Sequence, residues 1–238
     1  MGLLLHCGGE HVDLTDLQAI PLPEETQSYK PVGHYDLALN LAEIATGLLS
    51  GHTLVNSQYG IAREGKQMFG VHTFKNGSEE LGLSIGFRNS YDKSMSVGIA
   101  VGASVFVCDN LALTGDITVM RKHTTNVLND LEEMAITTIY RSQSNFRRIA
   151  DDADVMSRIS IEDDQVYQLM GLLYGNGILT PRQLPVVKKE WHKPSYLDFE
   201  PRNLWSFYNA CTEALKSSPP SKIMEKHIAL HDRLVKGE

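Results

Sequence analysis

Two neighbouring segments, residues 82–88 and 94–102, alternate between large apolar and small residues, and this alternation restricts the fold more than any other feature. Successive side chains of a β-strand point to opposite faces of the sheet, so each size class falls on its own face. The large class comprises Leu83, Ile85, Phe87, Met95, Val97, Ile99 and Val101, and the small class comprises Gly82, Ser84, Gly86, Ser96, Gly98, Ala100 and Gly102. We expect a helix packed on the nearly bare face, with a platform for a ligand or nucleic acid as the alternative.

Further strands and turns are predicted on either side of these two segments, and together they indicate a sheet. Alternating or β-rich runs are separated by turn dipeptides such as Asn76-Gly77, a pattern typical of antiparallel hairpins. The pattern predicts a central, mostly antiparallel β-sheet over residues 52–121, preceded by one helix. The predicted elements are a helix at 36–50, a hairpin turn at 63–66, a polar loop at 89–93, and strands at 53–61, 67–74, 80–88, 94–108 and 117–121.

After the sheet, apolar residues recur at helical spacing. One stripe predicts a long helix at about residues 127–149, and capping and proline signals predict further helices beyond it. Its members are Leu128, Leu131, Ala135, Ile139, Phe146 and Ile149. Because strands come first and helices later, the predicted fold class is α+β. We predict a single domain at 1–238, with an N-terminal arm at 1–35, a sheet-plus-helix core at 36–150 and a C-terminal helical part at 151–238.

The 238 residues carry a formal net charge of −7, which argues against binding nucleic acid by bulk charge. Residues 1–60 hold one Lys or Arg against seven acids, whereas residues 181–238 hold ten against seven. Three widely separated cysteines do not form a disulfide framework, which favours a reducing cytoplasm. No apolar run approaches the roughly 18 residues of a membrane span, and the N-terminus lacks a basic signal-like start, so we expect no membrane association.

Motifs for common enzyme chemistry are absent or misplaced. Gly82-Leu-Ser84-Ile-Gly86 matches the G-x-S-x-G pattern, but it lies within a strand, whereas a nucleophile elbow needs a turn and then a helix. An N-terminal group of possible metal ligands comprises His6, Cys7, His11 and Asp13. A zinc site needs about four ligands in tetrahedral reach, and no second cluster completes this one. We therefore expect no metal and no cofactor, and the balance is against an enzyme.

Three polar turns adjoin the predicted strands, at residues 88–94, 108–110 and 121–124. If they meet at one edge of the sheet, they form a polar cluster suited to phosphate or carboxylate, because Arg and Lys stand beside Asn and Ser. The candidate anion or nucleic-acid contacts are Arg88, Asn89, Ser90, Lys93, Arg121 and Lys122, with Arg141 and Arg148 on the outer side of the long helix. The alternative is that these residues satisfy loop backbone groups and one another.

An enzymatic use of the same cluster needs acid–base or nucleophilic groups. The candidates are Asp92, Cys108, Asp109 and His123. Cys108 follows three apolar residues, so we expect it at a buried strand end, where a thiol behaves as a small hydrophobe. An inert cysteine is favoured, because a reactive thiolate needs an accessible and electropositive setting.

Several segments also resemble a known family. Residues 88–94, 101–112, 121–124, 203–216 and 227–234 are similar to the phage/plasmid-like family called domain of unknown function nine-three-two. The family often has His at the position of Tyr91, so no mechanism that needs an imidazole there is carried over. The resemblance implies a mobile-element setting and no particular reaction.

Three functions stay open at this point. The first is a non-enzymatic DNA-associated protein that binds or anneals single strands, with Tyr91, Tyr140 and Phe146 as candidate stacking aromatics. The second is a small-ligand binder or enzyme that uses the polar cluster. The third is a module that binds a host or element-encoded protein, since the acidic N-terminal region suits basic partners.

Overall fold

Six strands form one antiparallel sheet in the part of the chain that the computed structural model describes, residues 9–76, 81–105, 110–124 and 126–237. The side chains of residues 114–119, 128–129 and 143–145 are not part of that description. Each strand pairs with its neighbours in sequence, so the spatial order is the chain order. The strands are β1 (Glu10–Val12), β2 (Thr53–Ala62), β3 (Gln67–Lys75), β4 (Leu81–Ser90), β5 (Val97–Val105) and β6 (Asn110–Arg121).

Within these ranges, two α-helices precede β2 and five follow β6. They are α1 (Leu14–Ala19), α2 (His34–Leu48), α3 (Val127–Arg158), α4 (Asp163–Gly175), α5 (Leu184–His192), α6 (Leu204–Leu215) and α7 (Pro220–His231), with a 3₁₀ turn at Leu197–Phe199 and a π-helical turn at Asp232–Lys236. The sheet and the separate helical half confirm the α+β class. β1 and α1 have no counterpart among the predicted elements. None of the described helices is long and apolar enough to cross a bilayer.

The long helix α3 begins at Val127, as predicted, and runs past the predicted end at residue 149 to Arg158. The predicted stripe is buried at Leu131, Ala135, Ile139, Phe146 and Ile149. The helix continues because the apolar stripe continues: Ala153 and Met156 are also buried. Extending the 3.6-residue repeat by these two positions accounts for the additional turns.

A tight hairpin joins β2 to β3 where the sequence predicts one. Arg63, Glu64 and Gly65 have positive φ angles of 54°, 57° and 80°. Glycine adopts this left-handed region without strain, whereas other residues do so at a cost, so Gly65 favours the turn. A Cβ at that glycine would lie 3.1 Å from Ile20, which also restricts the position. The second predicted turn, Asn76-Gly77, lies partly outside the described residues.

Two strands are longer than predicted, which moves part of the polar cluster into the sheet. β4 continues through Ser90, whose backbone is paired with Gln67 of β3. The predicted loop at 89–93 is therefore wrong at its first two residues. β6 starts at Asn110 instead of residue 117, because its first residues pair with the end of β5 around Val105.

Different helices cover the two faces of the sheet. The large-residue face shares one core with α2 and α3; its members include Leu83, Ile85, Phe87, Val97 and Ile99 of the sheet, Leu37 and Leu41 of α2, and Leu131, Ala135 and Ile139 of α3. The opposite face packs against Ile223 and Met224 of α7. The predicted helix on the bare face is thus confirmed.

The small residues leave room for this packing. A Cβ at Gly98 would lie 2.6 Å from the Met120 sulfur, and one at Gly86 would lie 3.3 Å from Leu113. A Cβ at Gly102 would overlap the carbonyl group of Ala112 on the neighbouring strand. The bare face is therefore shaped to fit side chains of β6 and α7.

Candidate functional site

Arg88, the first residue of the predicted polar cluster, lies on the α7 face of the sheet and is buried. Its guanidinium pairs with the carboxylate of Glu225 and donates a 3.4 Å hydrogen bond to the carbonyl of Ser221, both on α7. A buried charge is tolerated only with such a partner. This placement gives Arg88 a role in holding α7 on the sheet and weighs against direct contact with a phosphate.

Asn89 belongs to a buried network that ties the N-terminal arm to the sheet. Its side-chain amide donates to the carbonyl of Val32 (2.6 Å) and to Nδ1 of His34 (3.0 Å). The other ring nitrogen of His34 donates to the carbonyl of Gly65 (3.0 Å), which fixes the neutral tautomer. Burial lowers the pKa of His34 to about 4. Tyr91 stacks on this imidazole at 3.8 Å, and its hydroxyl accepts from the His34 amide (2.8 Å).

Ser90 is also occupied internally. Its hydroxyl donates to the carbonyl of Met95 (2.9 Å) and accepts from the Met95 amide (3.2 Å), which closes the loop after β4. Asn89 and Ser90, both candidate anion contacts, are thus buried with protein partners.

Asp92 is hydrogen-bonded to three neighbours, and this pairing weighs against a role as a general base. It accepts hydrogen bonds from the backbone and hydroxyl of Ser94, from Gln67 (3.2 Å) and from Arg63 (3.4 Å). Burial raises the pKa of Asp92, but these hydrogen bonds and the Arg63 charge outweigh it and hold the pKa below its usual value. Asp92 and His123, both candidate catalytic residues, share no hydrogen bond or ion pair in the described part of the chain.

An open cavity of about 400 Å³ lies where the loop after β4, the turn after β6 and the N-terminal arm meet. The ammonium groups of Lys93 and Lys122 are exposed at this cavity, and neither is paired with a carboxylate among the residues described. The structure thus brings two of the three predicted polar turns together. We call this site the basic cavity; it is lined by Ser28, Tyr29, Lys93, Ser94, Met95, Ser96, Lys122, His123 and Thr124.

His123 is the least satisfied group of the basic cavity. The residue is only 8% exposed, yet neither ring nitrogen has a hydrogen-bond partner among the described residues. Burial lowers the pKa of His123, and the nearby Lys30 backbone opposes part of this effect without a hydrogen bond of normal geometry. Buried polar atoms are nearly always paired with protein, water or ligand, so this imidazole can bond with water or with a ligand atom that enters the cavity.

Tyr29, on the N-terminal arm, contacts two other residues that line the cavity. Its ring lies 5.4 Å from the His123 ring and 4.3 Å from the Lys93 ammonium, and its hydroxyl donates to the Tyr91 carbonyl (3.4 Å). Lys93 itself has a φ of 60°, an uncommon backbone conformation for lysine. The strained loop and the cation–π contact together place this ammonium beside the cavity.

The remaining arginines lie elsewhere. Arg121 pairs with Asp130 of α3 at 3.7 Å. Arg141 and Arg148 are exposed on α3, as predicted, but Arg141 is 14 residues beyond Val127, about 21 Å along a helix axis. The structure does not bring these three side chains into the basic cavity. Cys108 and Asp109 fall outside the described residues, as do His6 and Cys7.

The serine of the G-x-S-x-G match and one cysteine are buried in the core. Ser84 of the G-x-S-x-G match lies within β4, fully buried, 3.3 Å from the hydroxyl of Thr73. The strand interpretation of that motif is therefore confirmed. Cys211 is a buried thiol whose pKa is raised by burial. Over the described ranges, no group of three or more His, Cys, Asp or Glu side chains could hold a metal ion.

Sequence reasoning missed the arm residues of the site and its hydroxyls. Ser28, Tyr29, Ser96 and Thr124 line the basic cavity, although none was a candidate. Thr124 lies within the predicted polar turn at 121–124, and Ser96 follows the one at 88–94, so both could have been found by including every polar residue in and beside the turns. Ser28 and Tyr29 carry no such signal, because only tertiary packing brings the arm against the sheet.

Fold and site together define an α+β protein built on one meandering antiparallel sheet, with a candidate binding cavity where its arm meets two loops. Residues 25–235 match the model of the family described as Domain of unknown function (DUF932), and the chain belongs to this family. The matched range includes every residue that lines the basic cavity. No curated protein matches the chain. No solved structure matches it either.

Proposed function

We propose that the chain binds single-stranded nucleic acid, without catalysis, by holding phosphate groups in the basic cavity. The observation that carries the proposal is the buried imidazole of His123, unpaired among the described residues, in a cavity that the exposed residues Lys93 and Lys122 also line. Phosphate oxygens accept hydrogen bonds and attract cations, so they complement both kinds of group. Hydroxyls such as those of Ser94 and Thr124 are further common contacts to phosphate.

The charge of the chain supports a local mode of binding. With a net charge of −7, affinity has to come from the few cations of one site and not from the whole surface. A single strand is flexible enough to bring its phosphates into an open cavity, whereas a duplex presents them on a stiff surface. The phage/plasmid setting that we infer from the family resemblance fits such a protein.

A small phosphate-bearing ligand is the second candidate for the same cavity. A volume of about 400 Å³ lies within the roughly 300–1,000 Å³ range of small-ligand sites. An enzymatic role has less support, because Asp92 is held by its neighbours and shares no hydrogen bond or ion pair with His123 in the described part of the chain. Dependence of affinity on strand length separates the two candidates, since a small ligand gains nothing from additional nucleotides.

Fluorescence anisotropy of a labelled oligothymidylate tests the proposal. Two lysine–phosphate contacts give a salt slope of about −1.4 for a single strand, or about a sevenfold loss of affinity between about 50 and about 200 mM salt. The variant K93A/K122A should bind more weakly and lose this slope. The matched control K193A/K222A removes two other exposed lysines and should retain both. Absence of binding at about 50 mM salt, or equal binding by both variants, would overturn the proposal.

A further inference from the structure

The positive charge that is available at the basic cavity is confined to two side chains. Lys93 and Lys122 line the cavity without a carboxylate partner, and no Asp or Glu lines it, among the residues described. Three nearby cations each face a carboxylate, at 4.0, 3.4 and 3.7 Å respectively: Lys30 faces Glu25, Arg63 faces Asp92 and Arg121 faces Asp130. The cavity can therefore attract one phosphate group strongly, but these cations form no row along which a strand could lie.

This arrangement differs from that of proteins that hold a single strand along its length. Such proteins have a positively charged groove that follows the backbone over about 4–16 nucleotides. The basic cavity is instead compact, since its volume of about 400 Å³ is near the lower end of the roughly 300–1,000 Å³ of small-ligand sites. It suits the end of a strand better than a run of nucleotides.

We infer that the basic cavity binds the terminal phosphate monoester of a single strand in preference to the diesters within the strand, an inference that rests on the proposed function above. A monoester carries a charge of about −1.5 to −2 at neutral pH, and three of its oxygens accept hydrogen bonds. A diester within the strand carries a single negative charge and has one free oxygen fewer. Two ammonium groups in a cavity without carboxylates therefore favour the monoester.

His123 and the start of α3 strengthen this preference. A ring nitrogen of His123, which is unpaired among the described residues, can donate to an oxygen that the two lysines leave free. Thr124 also lines the cavity, and its carbonyl accepts from the amide of Val127, the first residue of α3 (3.0 Å). The positive end of the α3 dipole thus lies at this side of the cavity and favours the more highly charged phosphate.

Anisotropy titrations of oligothymidylates that differ only at their ends test the inference. Three strands of one length carry a 5′-phosphate, a 3′-phosphate or hydroxyl groups at both ends, with the dye on a base in the middle. In about 50 mM salt at neutral pH, a phosphorylated strand should bind the parent chain at least about tenfold more tightly than the hydroxyl strand, as one more charge-assisted hydrogen bond implies. A preference for either phosphate supports the inference and identifies the end that enters the cavity.

The variant K93A/K122A should lose this preference and bind the three strands alike, whereas the matched control K193A/K222A should keep it. Phosphorus NMR gives a direct readout, because it resolves the terminal monoester from the diesters. The monoester signal should shift when the strand binds the parent chain and should stay in place with K93A/K122A.

The possible failures are distinguishable from one another. If the parent chain binds the three strands equally and K93A/K122A weakens all of them, strand binding stands and the terminal phosphate is wrong. If no strand binds, the proposed function fails as well. If thymidine 5′-monophosphate binds as tightly as the phosphorylated strand, the cavity is a small-ligand site and the strand end is excluded as its particular ligand.

Discussion

His34 and His123 show how local surroundings separate two buried residues of one type. Both lie beside the N-terminal arm and both have a pKa lowered by burial. His34 is hydrogen-bonded at each ring nitrogen, whereas His123 is bonded at neither among the described residues. An unsatisfied buried polar group costs about 1–3 kcal/mol, so only His123 gains from an additional partner. The same side chain thus anchors the fold at one position and favours ligand binding at the other.

The affinity of the basic cavity should depend on pH through His123. Burial lowers the pKa of this imidazole in the free protein, and a bound phosphate would raise the pKa by its negative charge. Binding then takes up a proton between the two pKa values, so affinity should rise as the pH falls through the pKa of the complex and should level off only below the lowered pKa of the free protein, that is, below 6.5. Anisotropy titrations with the oligothymidylate at several pH values measure this dependence.

The variant H123Q is the matched control, because glutamine keeps a donor and an acceptor but does not titrate. It should bind with little change between these pH values. If H123Q shows the same pH dependence as the parent chain, another group is responsible and the assignment to His123 is wrong.

At the site, sequence reasoning reached Lys93, Lys122 and His123, because polar turns after strands can be recognised locally. It also selected Arg88, Asn89 and Ser90, which the structure buries. The difference lies in β4, which runs to Ser90 and places these residues in the sheet. A local pattern cannot show where a strand ends when polar residues continue it, since their partners come from distant segments.

Among the elements, β4 and α7 are joined by a polar contact within an apolar interface. Arg88 of β4 is buried, whereas the side chain of Glu225 on α7 is 47% exposed. The two partners therefore lose different amounts of hydration in the pair. Removing the glutamate leaves a buried cation without a charged partner, but removing the arginine leaves a carboxylate that water can reach.

We predict that E225A destabilises the fold by about 1–3 kcal/mol, and that R88M costs less. The double variant R88M/E225A should recover much of the loss of E225A, because it leaves no buried charge. Urea unfolding of the four proteins completes this cycle. Equal losses for the two single variants, with a double variant equal to their sum, would show that the pair does not couple β4 to α7.

The elements themselves were largely predictable, because their signals are local. A period of two residues identified the strands around Leu83 and Ile99, and the 3.6-residue stripe identified α3. The same alternation predicted a helix on the bare face but not which helix. The helix on that face is α7, which begins at Pro220, more than a hundred residues after β5. No short sequence pattern identifies it, because the match between α7 and the sheet depends on the shapes of two distant surfaces.

Across the whole molecule, several buried histidines make the stability of the fold sensitive to acid. His34, His72 and His227 lie in different parts of the fold, and burial lowers each pKa from 6.5 to about 4. His72, for example, donates to the carbonyl of Ala38 (2.9 Å) and, in that neutral tautomer, accepts from the hydroxyl of Ser57 (2.9 Å). In the unfolded chain these imidazoles regain their ordinary pKa and take up protons first.

The stabilisation from these neutral histidines is therefore fully present above pH 6.5 and is lost as the pH falls from 6.5 toward 4. Each histidine contributes about 1.4 kcal/mol per pH unit in this window, so three contribute up to about 4 kcal/mol per unit. We predict unfolding before pH 4, since the total stability of a domain is about 5–15 kcal/mol. Urea midpoints at pH 7.5, 6 and 5, followed by circular dichroism, measure the slope.

The variant H72Q provides the comparison for this prediction. It should be less stable at neutral pH, because Gln does not reproduce both ring hydrogen bonds, but its stability should fall less steeply with acid. An unchanged slope would mean that His72 keeps its ordinary pKa in the folded protein.

The pairing of Arg88 with Glu225 spans 137 residues, and this separation has a consequence for synthesis of the chain. The strands β2 to β6 need only their neighbours in sequence, so the meander can close as it leaves the ribosome. At about 5–20 residues per second, α7 follows Arg88 after about 7–27 s. Until then Phe69, Val71 and Leu113 face water without their covering helix. A nascent chain of this kind passes through an interval in which it is open to aggregation, and the 137-residue separation between Arg88 and Glu225 of α7 sets how long that interval lasts.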